Sequence, residues 1–494
     1  MPTLETAFED RTERDRATAQ KPLPSPATHA FAGRVVNDVH SQLNRTRVRR
    51  IVVPDSLGSL QALVQVARAR RELIAIAGGR HAMGGQQFAG DAVLLDMCRM
   101  NRVLRFEPER SLIEVEAGIQ WPALIEYLTG AQRGLNRQVG IIQKQTGADH
   151  LSVGGALAAN MHGRGLRFKP IIADVEAFVL VDSNGALRTC SRLENPELFR
   201  LAIGGYGLFG IIASVTLRLS LRRKLERVVE LAQLHDLSAL FEQRISDGFL
   251  YGDFQFATAH ESEEFLRTGI FSCYRPVDDE RPLTEGGQEL SAEDWGELLY
   301  LAHADRQRAF DLYTAHYLST SGQVYWSDTH QLSIYLDDYH RDLDRRLRAS
   351  ERGSEMITEV YVPRERLAEF METVREDFRL HSTELIYGTI RLIEKDDESF
   401  LAWAREAWAC IVFNLHVTHS QAGIEKAQAD FRRLIDRAIQ FGGSYYLTYH
   451  RWASREQVMA CYPQFSEFLR LKRKYDRDEL FQSDWYRHYR AMFA

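Results

Sequence analysis

Short runs of alternating hydrophobic and polar residues predict a unit of strands and helices over roughly residues 46–222. "VRRIVVPDSLGSLQALVQVARARRELIAIAGG" predicts a strand, a helix with Ser56 as its N-cap, and a second strand. "SLIEVEAGI" predicts a strand, and "WPALIEYL" predicts a helix with Pro122 in its first turn. "VEAFVLVDSNGALRTCS" predicts a hairpin around Asn184-Gly185, and "GLFGIIASVTLRLSL" a buried strand. The apolar face of the first helix comprises Leu57, Leu60, Leu63, Val64 and Ala67.

Longer helices and antiparallel strands are predicted after about Arg222. "RERLAEFMETVREDF" predicts a helix, whose apolar stripe comprises Leu367, Phe370, Met371, Val374 and Phe378. The segments that predict strands are "FLYGDFQFA", "EMITEVYV", "ELIYGTIRLIE" and "ACIVFNLHV". The final stretch, "FSEFLRLKRKYDRDELFQSDWYRHY", predicts a helix followed by an aromatic-rich tail.

This change of pattern divides the chain into four parts. We expect a flexible N-terminal tail at 1–30, a first domain at 31–222, a second domain at 223–443, and a C-terminal segment at 444–494 that returns to the first domain. A chain of 494 residues is long enough for two such domains with their own cores.

Composition is that of a soluble globular protein. Hydrophobic residues make up 45% and charged residues 26%, and the net charge of −6 offers no basic face to nucleic acid. The five cysteines are scattered, so no disulfide framework or zinc knuckle is predicted and a reducing cytoplasm fits best. The N-terminal residues lack the apolar core of a signal peptide, and no apolar run approaches 18 residues, so we expect a cytoplasmic protein without a membrane span.

Three glycine-rich segments suggest where the chain binds a ligand. They cover 74–88, 145–165 and 204–210, and backbone N–H groups exposed in such loops can bind phosphate oxygens. Neither the strand–GxGxxG–helix fingerprint nor the GK[ST] pattern is present, so the spacing permits a pyrophosphate nucleotide held without a Rossmann fold. On glycine content alone, an ordinary loop-rich α/β protein is about as good an interpretation. His81 in the first segment could be a metal ligand, part of a phosphate cradle or a covalent anchor, but no partner at ligand spacing favours the metal.

The order and spacing of these motifs resemble a known flavoprotein family. "AGGRHAMGGQ", then "GADHLSVGGALAANMHGRG", then "NPELFRLAIGGYGLFGIIASVTLRL" are similar to the flavin-binding domain of the vanillyl-alcohol oxidase / p-cresol methylhydroxylase (PCMH-type) family. "KYDRDELFQSDWYRHY" is similar to that family's closing segment, with Arg477 in place of its usual proline. The nearest motifs are those of alditol and aldonolactone oxidases. The resemblance covers roughly 46–222 and 445–490.

The resemblance implies an α+β, two-domain flavoprotein. Its FAD-binding domain would consist of two α+β subdomains, and its cap (substrate) domain of an antiparallel sheet flanked by helices. FAD would be the cofactor, joined covalently through His81 as in several branches; the alternative is that His81 packs against the flavin or donates a hydrogen bond to it. The implied cofactor-binding residues are Gly78, Gly79, Arg80, His81, Ala82, Gly84, Gly85, Gln86, Thr146, Gly147, Ala148, Ser152, Gly154, Gly155, Asn160, His162, Gly163, Gly210, Ile211 and Ile212.

The family's catalytic pattern is half retained. An E-x-R strand becomes Thr389-x-Arg391, an H-x-T strand keeps His416, and Tyr449, followed by His450, stands where a C-terminal lysine would fall. The resemblance thus implies Arg391, Tyr449, His416 and His450 as catalytic candidates. From the residues alone, Arg391 could equally form an exposed salt bridge, and His416 could face solvent. As a proton acceptor, Tyr449 would need a lowered pKa.

We expect Glu359 and Tyr361 to be structural residues at the start of a helix, and "VYWSDTH" to line the pocket. The implied function is oxidation of a CH–OH group of a small polar alcohol, sugar or lactone. Hydride would pass to flavin N5, and oxygen or another acceptor would then reoxidise the flavin. The alternatives are a flavin enzyme acting on a C–N or C=C bond, and a flavin-binding protein without turnover. No metal is predicted.

Overall fold

The structure is a computed structural model, which describes residues 33–284, 289–333, 336 and 338–494. The tail predicted at 1–30 lies outside the described residues. The strands are β1 (Val35–Val36), β2 (Thr46–Arg47), β3 (Arg50–Val52), β4 (Ile74–Ala77), β5 (Val93–Asp96), β6 (Val103–Glu107), β7 (Leu112–Glu116), β8 (Val139–Ile141), β9 (Val175–Val181), β10 (Leu187–Ser191), β11 (Ile211–Leu221), β12 (Lys224–Gln233), β13 (Tyr251–Phe256), β14 (Thr268–Pro276), β15 (Val324–Trp326), β16 (Gly353–Pro363), β17 (Leu385–Ile393), β18 (Trp408–Thr418) and β19 (Ser444–Tyr445).

Thirteen α-helices occur among the described residues. They are α1 (Leu57–Ala69), α2 (Trp121–Ala131), α3 (Val153–Ala159), α4 (Pro196–Ala202), α5 (Leu237–Ser246), α6 (Ala292–Ala304), α7 (Arg306–Ser319), α8 (His340–Leu347), α9 (Leu367–His381), α10 (Gln421–Gln440), α11 (Arg455–Cys461), α12 (Phe465–Tyr475) and α13 (Asp484–Met492). None of the helices in the described ranges is both long and apolar enough to cross a membrane.

A small parallel sheet, in the order β3-β5-β4, begins the first half of the chain. It confirms the predicted strand–helix–strand unit, and the Ser56 side chain caps α1 by accepting a hydrogen bond from the Ser59 amide. The C-terminal segment lies against this sheet, because Ile74 donates its amide to the Leu480 carbonyl at 2.8 Å. Within that segment, Lys472 and Asp476 form a buried ion pair. The Asp476 carboxylate also accepts a hydrogen bond from the backbone amide of Leu480.

An antiparallel sheet completes the first half, in the order β10-β9-β11-β7-β6, with β8 pairing to β11. The hairpin predicted around Asn184-Gly185 joins β9 to β10, with Val181 opposite Leu187. The predicted buried strand is β11, whose central position gives it partners on both sides. Helix α3 begins at Val153, where the Ser152 side chain caps it by accepting a hydrogen bond from the Gly155 amide.

The second half is built on one antiparallel sheet of eight strands, in the order β15-β12-β14-β13-β17-β18-β16-β19. All four segments predicted as strands belong to it. Helices α9 and α10 pack against this sheet, and the predicted apolar stripe of α9 is buried. Two sequence predictions need correction here. Glu359 and Tyr361 lie within β16 instead of at the start of a helix, and the C-terminal aromatic residues form the helix α13.

Candidate functional site

A cavity of about 920 Å³ lies between the glycine-rich loops of the first half and one face of the eight-stranded sheet. Its volume is at the upper end of the range of about 300–1,000 Å³ that is usual for small-molecule sites. The sheet presents alternate residues to the cavity, as the period of two in a strand requires. These include Thr389 and Arg391 on β17, Val412 and Asn414 on β18, and Glu359 on β16. The cavity can therefore hold an extended ligand along the loops and a smaller molecule against the sheet.

The cavity wall contains 15 of the 20 residues that the sequence assigned to the cofactor. They are Gly78, Gly79, Arg80, His81, Ala82, Gln86, Thr146, Gly147, Ala148, Ser152, Gly154, Gly155, His162, Gly210 and Ile212. Two of the three glycine-rich segments approach each other closely here. A Cβ on Gly78 would lie 2.1 Å from Ser152 Oγ, and one on Gly79 would lie 2.2 Å from the carbonyl oxygen of His150. Both positions must therefore be glycine for the two loops to lie side by side.

The other five predicted cofactor residues do not line the cavity: Gly84, Gly85, Asn160, Gly163 and Ile211. Asn160 is buried and donates its side-chain amide to Asp396 Oδ2 at 2.8 Å. A Cβ on Gly163 would lie 2.8 Å from the carbonyl oxygen of Lys144, and one on Gly84 would lie 2.7 Å from the side-chain amide of Gln86. These residues lie behind the residues that line the cavity, and their direct contact with the cofactor stays a prediction.

His81 has a histidine partner that the sequence did not reveal. Its Nδ1 lies 2.8 Å from Nε2 of His40, which also lines the cavity. Burial, together with the nearby His340, lowers the pKa of His40 from 6.5 to about 4, so His40 is neutral at pH 7. Arg80 has a positive φ of 61° and directs its guanidinium to Asp96 Oδ2 at 2.8 Å. Thus the charge of Arg80 is already paired, while His81 faces a neutral imidazole.

Arg391 carries a buried charge whose guanidinium makes no hydrogen bond or ion pair with any residue that the structure describes, although its charge does help to lower the pKa of Glu359. The residue is 7% exposed. Burying a guanidinium in this way is costly unless a ligand supplies the missing acceptor. Because Arg391 lines the cavity, we infer that its partner is a ligand oxygen. This geometry rules out the exposed salt bridge that the sequence had left open.

Glu359 provides an acid that sequence reasoning missed. Thr389 on β17 pairs with Val412 on β18, and Val412 pairs with Glu359 on β16, so the three form one row across the sheet. The Glu359 carboxylate receives hydrogen bonds from Tyr361 and, at 2.9 Å, from Nε2 of His162. Burial alone would raise the pKa of Glu359, but His162 and the neighbouring hydroxyl lower it below its ordinary 4.5. The acid missing at Thr389 is therefore replaced by an ionised carboxylate two strands away.

Tyr449 bonds to this carboxylate. Its hydroxyl donates to Glu359 Oε2 at 3.4 Å and accepts from Gln145 Nε2 at 3.2 Å. Burial, together with the negative charge of Glu359, raises the pKa of Tyr449 well above its ordinary value. A tyrosine that acts as the terminal proton acceptor would need a lowered pKa. The structure contradicts that prediction for Tyr449, although the residue does line the cavity.

The two predicted catalytic histidines do not line the cavity. His450 is buried against Phe431, with ring centroids 4.6 Å apart, and burial lowers its pKa to about 3. His416 projects from β18 beyond the cavity and approaches Glu355 instead. The chain turns at residues 447–449, so Tyr449 faces the cavity while the adjacent His450 packs into the core.

Several tyrosines and two arginines, one buried and one half-buried, also line the cavity. The arginines lie over tyrosine rings, with Arg164 4.8 Å from the Tyr274 centroid and Arg227 4.7 Å from that of Tyr317. Tyr325, Thr329 and His330, from the segment predicted to line the pocket, also line the cavity. Arg164 belongs to the second glycine-rich segment, whereas nothing near Arg227 in the sequence marked that residue.

The loops fit a flavin dinucleotide. They offer bare backbone along an elongated wall, the Cβ positions of Gly78 and Gly79 are sterically closed, and His81 stands at the same wall. The loop residues in this wall include no carboxylate that could neutralise a metal ion. Exposed backbone amides and an aromatic-sized space are what a pyrophosphate joined to a planar ring requires.

Comparison with known proteins agrees with this fit. A family model described as an FAD binding domain matches residues 48–191. The chain is 24% identical to the L-gulono-1,4-lactone dehydrogenase of Mycobacterium tuberculosis over 88% of this chain and 95% of that protein. It is 31% identical to an uncharacterized oxidoreductase of the fasciation locus of Rhodococcoides fascians, over 34% of this chain and 37% of that protein. It is 26% identical to the mitochondrial L-galactono-1,4-lactone dehydrogenase of Arabidopsis thaliana, over 46% of this chain and 37% of that protein.

Fold, cavity and comparisons together define an FAD-dependent oxidoreductase. More particularly, its relatives include proteins named as gulonolactone and galactonolactone dehydrogenases or oxidases, and its loop motifs are similar to those of the vanillyl-alcohol oxidase / p-cresol methylhydroxylase family. The sequence predictions of an α+β two-domain flavoprotein fold, of FAD as cofactor and of an oxidoreductase are thereby confirmed.

Proposed function

We propose that this protein oxidises a CH–OH group of a small polar alcohol, sugar or lactone. The observation that carries the proposal is the pairing, on one cavity wall, of an arginine without a hydrogen-bond partner among the described residues and an ionised carboxylate, Arg391 and Glu359. A relative that aligns over 95% of its length is named as a lactone dehydrogenase, which supports the same reaction type. FAD, when bound, supplies the acceptor for the hydride.

Arg391 is proposed to bind the substrate oxygen at the carbon that is oxidised. Its guanidinium is buried, fixed on β17 and without another acceptor among the described residues, so it is available to a ligand oxygen before the reaction begins. As the carbon loses hydride, negative charge on that oxygen grows until the proton has left. A preorganised cation stabilises that charge more than it stabilises the neutral alcohol.

Glu359 is proposed to receive the hydroxyl proton, with Tyr449 as the relay. Tyr449 can accept the substrate proton on its oxygen while its own proton passes to Glu359 Oε2, to which it is already hydrogen-bonded. This route never requires a free phenolate, and it is therefore compatible with the raised pKa of Tyr449. His162 and Tyr361 hold the carboxylate in position from its other side.

His81 is proposed to carry the flavin covalently. The link would replace a C–H bond of the flavin methyl group by a bond to an imidazole nitrogen of His81, and the electron pair would be left on the flavin until the acceptor that reoxidises it removes the pair. His40 Nε2, 2.8 Å from His81 Nδ1, would hold the His81 ring in position. The denatured protein should exceed the mass of the bare chain by one FAD. His81→Ala should abolish the increment, whereas His150→Ala, on an exposed loop position nearby, should keep it. A wild-type mass equal to that of the bare chain would refute the link.

The experiment that tests the reaction is anaerobic incubation with a panel of polyols, sugars and aldonolactones while the flavin absorbance is followed. Bleaching with a member of this panel supports the proposal. If amines or unsaturated acids bleach the flavin and no CH–OH compound does, the proposed bond is wrong. If dithionite bleaches the flavin and no organic compound does, the proposal of an alcohol substrate fails as well.

Oxygen or another acceptor is proposed to reoxidise the flavin. If oxygen is the acceptor, admitting air after bleaching should restore the flavin absorbance, and if it is not, the flavin should stay bleached. The proposed location is the cytoplasm, because all five cysteines are free thiols, as is usual in a reducing compartment.

A further inference from the structure

A second cluster of polar side chains lies beside the cavity, and none of its four members lines the cavity wall. Glu355 on β16 is buried, with 4% of its side chain exposed, and three histidines approach its carboxylate. His303 comes from the last turn of α6, His340 from the first residue of α8, and His416 from the position on β18 that pairs with Glu355. Four separate elements thus converge on one carboxylate.

The spacing of three of these groups matches that of ligands around one metal ion. His303 Nε2 lies 3.1 Å and His416 Nδ1 lies 3.3 Å from Glu355 Oε1, and the three ligand atoms lie within 4.8 Å of one another. Two ligands at about 2.0–2.1 Å from a tetrahedral Zn²⁺ are separated by roughly 3.3 Å. The imidazole rings of His303 and His416 are perpendicular, at 89°, so they approach from different directions.

Simple ion pairing accounts less well for this arrangement. Nε2 of His303 and Nδ1 of His340 are buried, and neither makes a hydrogen bond in the described structure although each is close to a Glu355 oxygen. In a carboxylate–imidazole pair, the N–H would point at the oxygen. Side chains that are close together but not aligned with each other are expected when they are directed at a shared third atom.

The surroundings are those of a built site. Tyr339 donates a hydrogen bond from its hydroxyl to Glu355 Oε2, which leaves Oε1 directed at His303 and His416. Partners of metal ligands commonly orient a ligand in this way. Gly353 makes room for His416, because a Cβ there would lie 2.2 Å from Cε1 of that ring.

We propose that His303, Glu355 and His416 bind a divalent transition-metal ion, for which Zn²⁺ has the most suitable ligand preference. Two imidazoles and one carboxylate leave a fourth position for water or for the second carboxylate oxygen. The ion would fasten α6 to the sheet at the edge of the cavity, since Ala302 of α6 and Ile357 of β16 both line it. This site is independent of the flavin reaction, and its role is structural.

Zinc binding is measured on tag-free, flavin-loaded protein after dialysis against a chelator. Isothermal titration with ZnCl₂, with the metal content determined by mass spectrometry after gel filtration, should give one Zn²⁺ per chain. His303→Ala should weaken binding at least about 100-fold, because removing even a partner of a ligand costs about 10- to 100-fold. His235→Ala, at a histidine whose side chain is 73% exposed, should leave the affinity unchanged.

Thermal unfolding provides the second measurement. Zn²⁺ should raise the melting temperature of the wild type and of His235→Ala, but not that of His303→Ala. If His303→Ala yields protein without flavin, His303→Gln keeps the helix end polar and serves in its place. Less than 0.1 Zn²⁺ per chain in the wild type, or equal affinity in all variants that keep their flavin, would overturn the proposal.

Discussion

Replacing Glu359 with glutamine tests whether this carboxylate receives the substrate proton. Glutamine keeps the shape and one oxygen acceptor for His162 and Tyr361, but it carries no charge and cannot accept the proton through Tyr449. The loops and the cavity wall should keep their shape. The variant should therefore bind FAD normally and fail in one step, the reduction of the flavin by substrate.

The expected loss follows from the role of a general base. Such a group contributes about 10²- to 10⁴-fold, which corresponds to roughly 2.7–5.5 kcal/mol in the barrier. Because the pKa of Glu359 is lowered from 4.5, its carboxylate stays charged throughout the neutral range. This group should thus add no inflection to the wild-type rate between about pH 5 and 8, and should lower the rate only as pH falls through its depressed pKa.

Rapid mixing under anaerobic conditions measures flavin reduction directly. The matched control is Glu384→Gln, a side chain that is 53% exposed and paired with Arg306 outside the cavity wall. Flavin content and melting temperature show whether each variant is folded and loaded. A reduction rate of Glu359→Gln within threefold of the wild type, at normal flavin content, would refute the proposed proton route.

Three further predictions address the arginine, the loops and the effect of pH. Arg391→Met should slow flavin reduction by roughly 30- to 1,000-fold (about 2–4 kcal/mol) without lowering the melting temperature, since the guanidinium makes no hydrogen bond or ion pair with the described residues; a lower melting temperature with normal turnover would contradict this. Gly155→Val should yield protein with little flavin, whereas Gly130→Ala, with open space around its Cβ, should keep it; equal flavin content would refute the loop assignment. Burial raises the pKa of Asp174 from 3.8 to about 7, so the folded protein favours the protonated carboxyl. The stability that this preference gives the folded state is complete below pH 3.8 and is lost as pH rises through about 7. Asp174→Asn should therefore stabilise by up to about 4 kcal/mol at pH 8 and by little at pH 4 in urea unfolding, and an equal effect at both would argue against it.

Features of the fold with local signals could be predicted from the sequence. The cap at Ser56, the Asn184-Gly185 turn and the apolar stripe of α9 each depend on residues within a few positions of one another. Helix α3, by contrast, lies in a glycine-rich segment whose composition indicates a loop, although Ser152 caps it. Strand order in the eight-stranded sheet could not be predicted, since it depends on contacts between residues far apart in the chain.

The candidate site likewise contains residues that local motifs could predict and residues that only long-range contacts bring together. The resemblance identified the loops at the cavity, because those loops are read as motifs, and most of their residues do lie in the wall. His40 and His81 are 41 positions apart, and nothing near His40 in the sequence marks it. The alternation in "EMITEVYV" places Glu355 and Glu359 on one face of a strand, which was a usable signal. It did not show which face would meet the cavity, and that required the sheet.

The position of the acid across the sheet has a consequence for the substrate. In the resembled oxidases the acid and the arginine stand on one strand, two residues apart, whereas here Arg391 is on β17 and Glu359 is on β16, with β18 between them. Neighbouring strands are separated by about 4.8 Å, so the acid is displaced by roughly 10 Å across the sheet. A proton can still leave, because Tyr449 bridges toward the carboxylate. The wall at Thr389, however, no longer offers a carboxylate to a second substrate hydroxyl. The substrate groups that Thr389 can bind must therefore differ from those bound by an enzyme with the full E-x-R pattern, even though the proposed bond to be oxidised is the same.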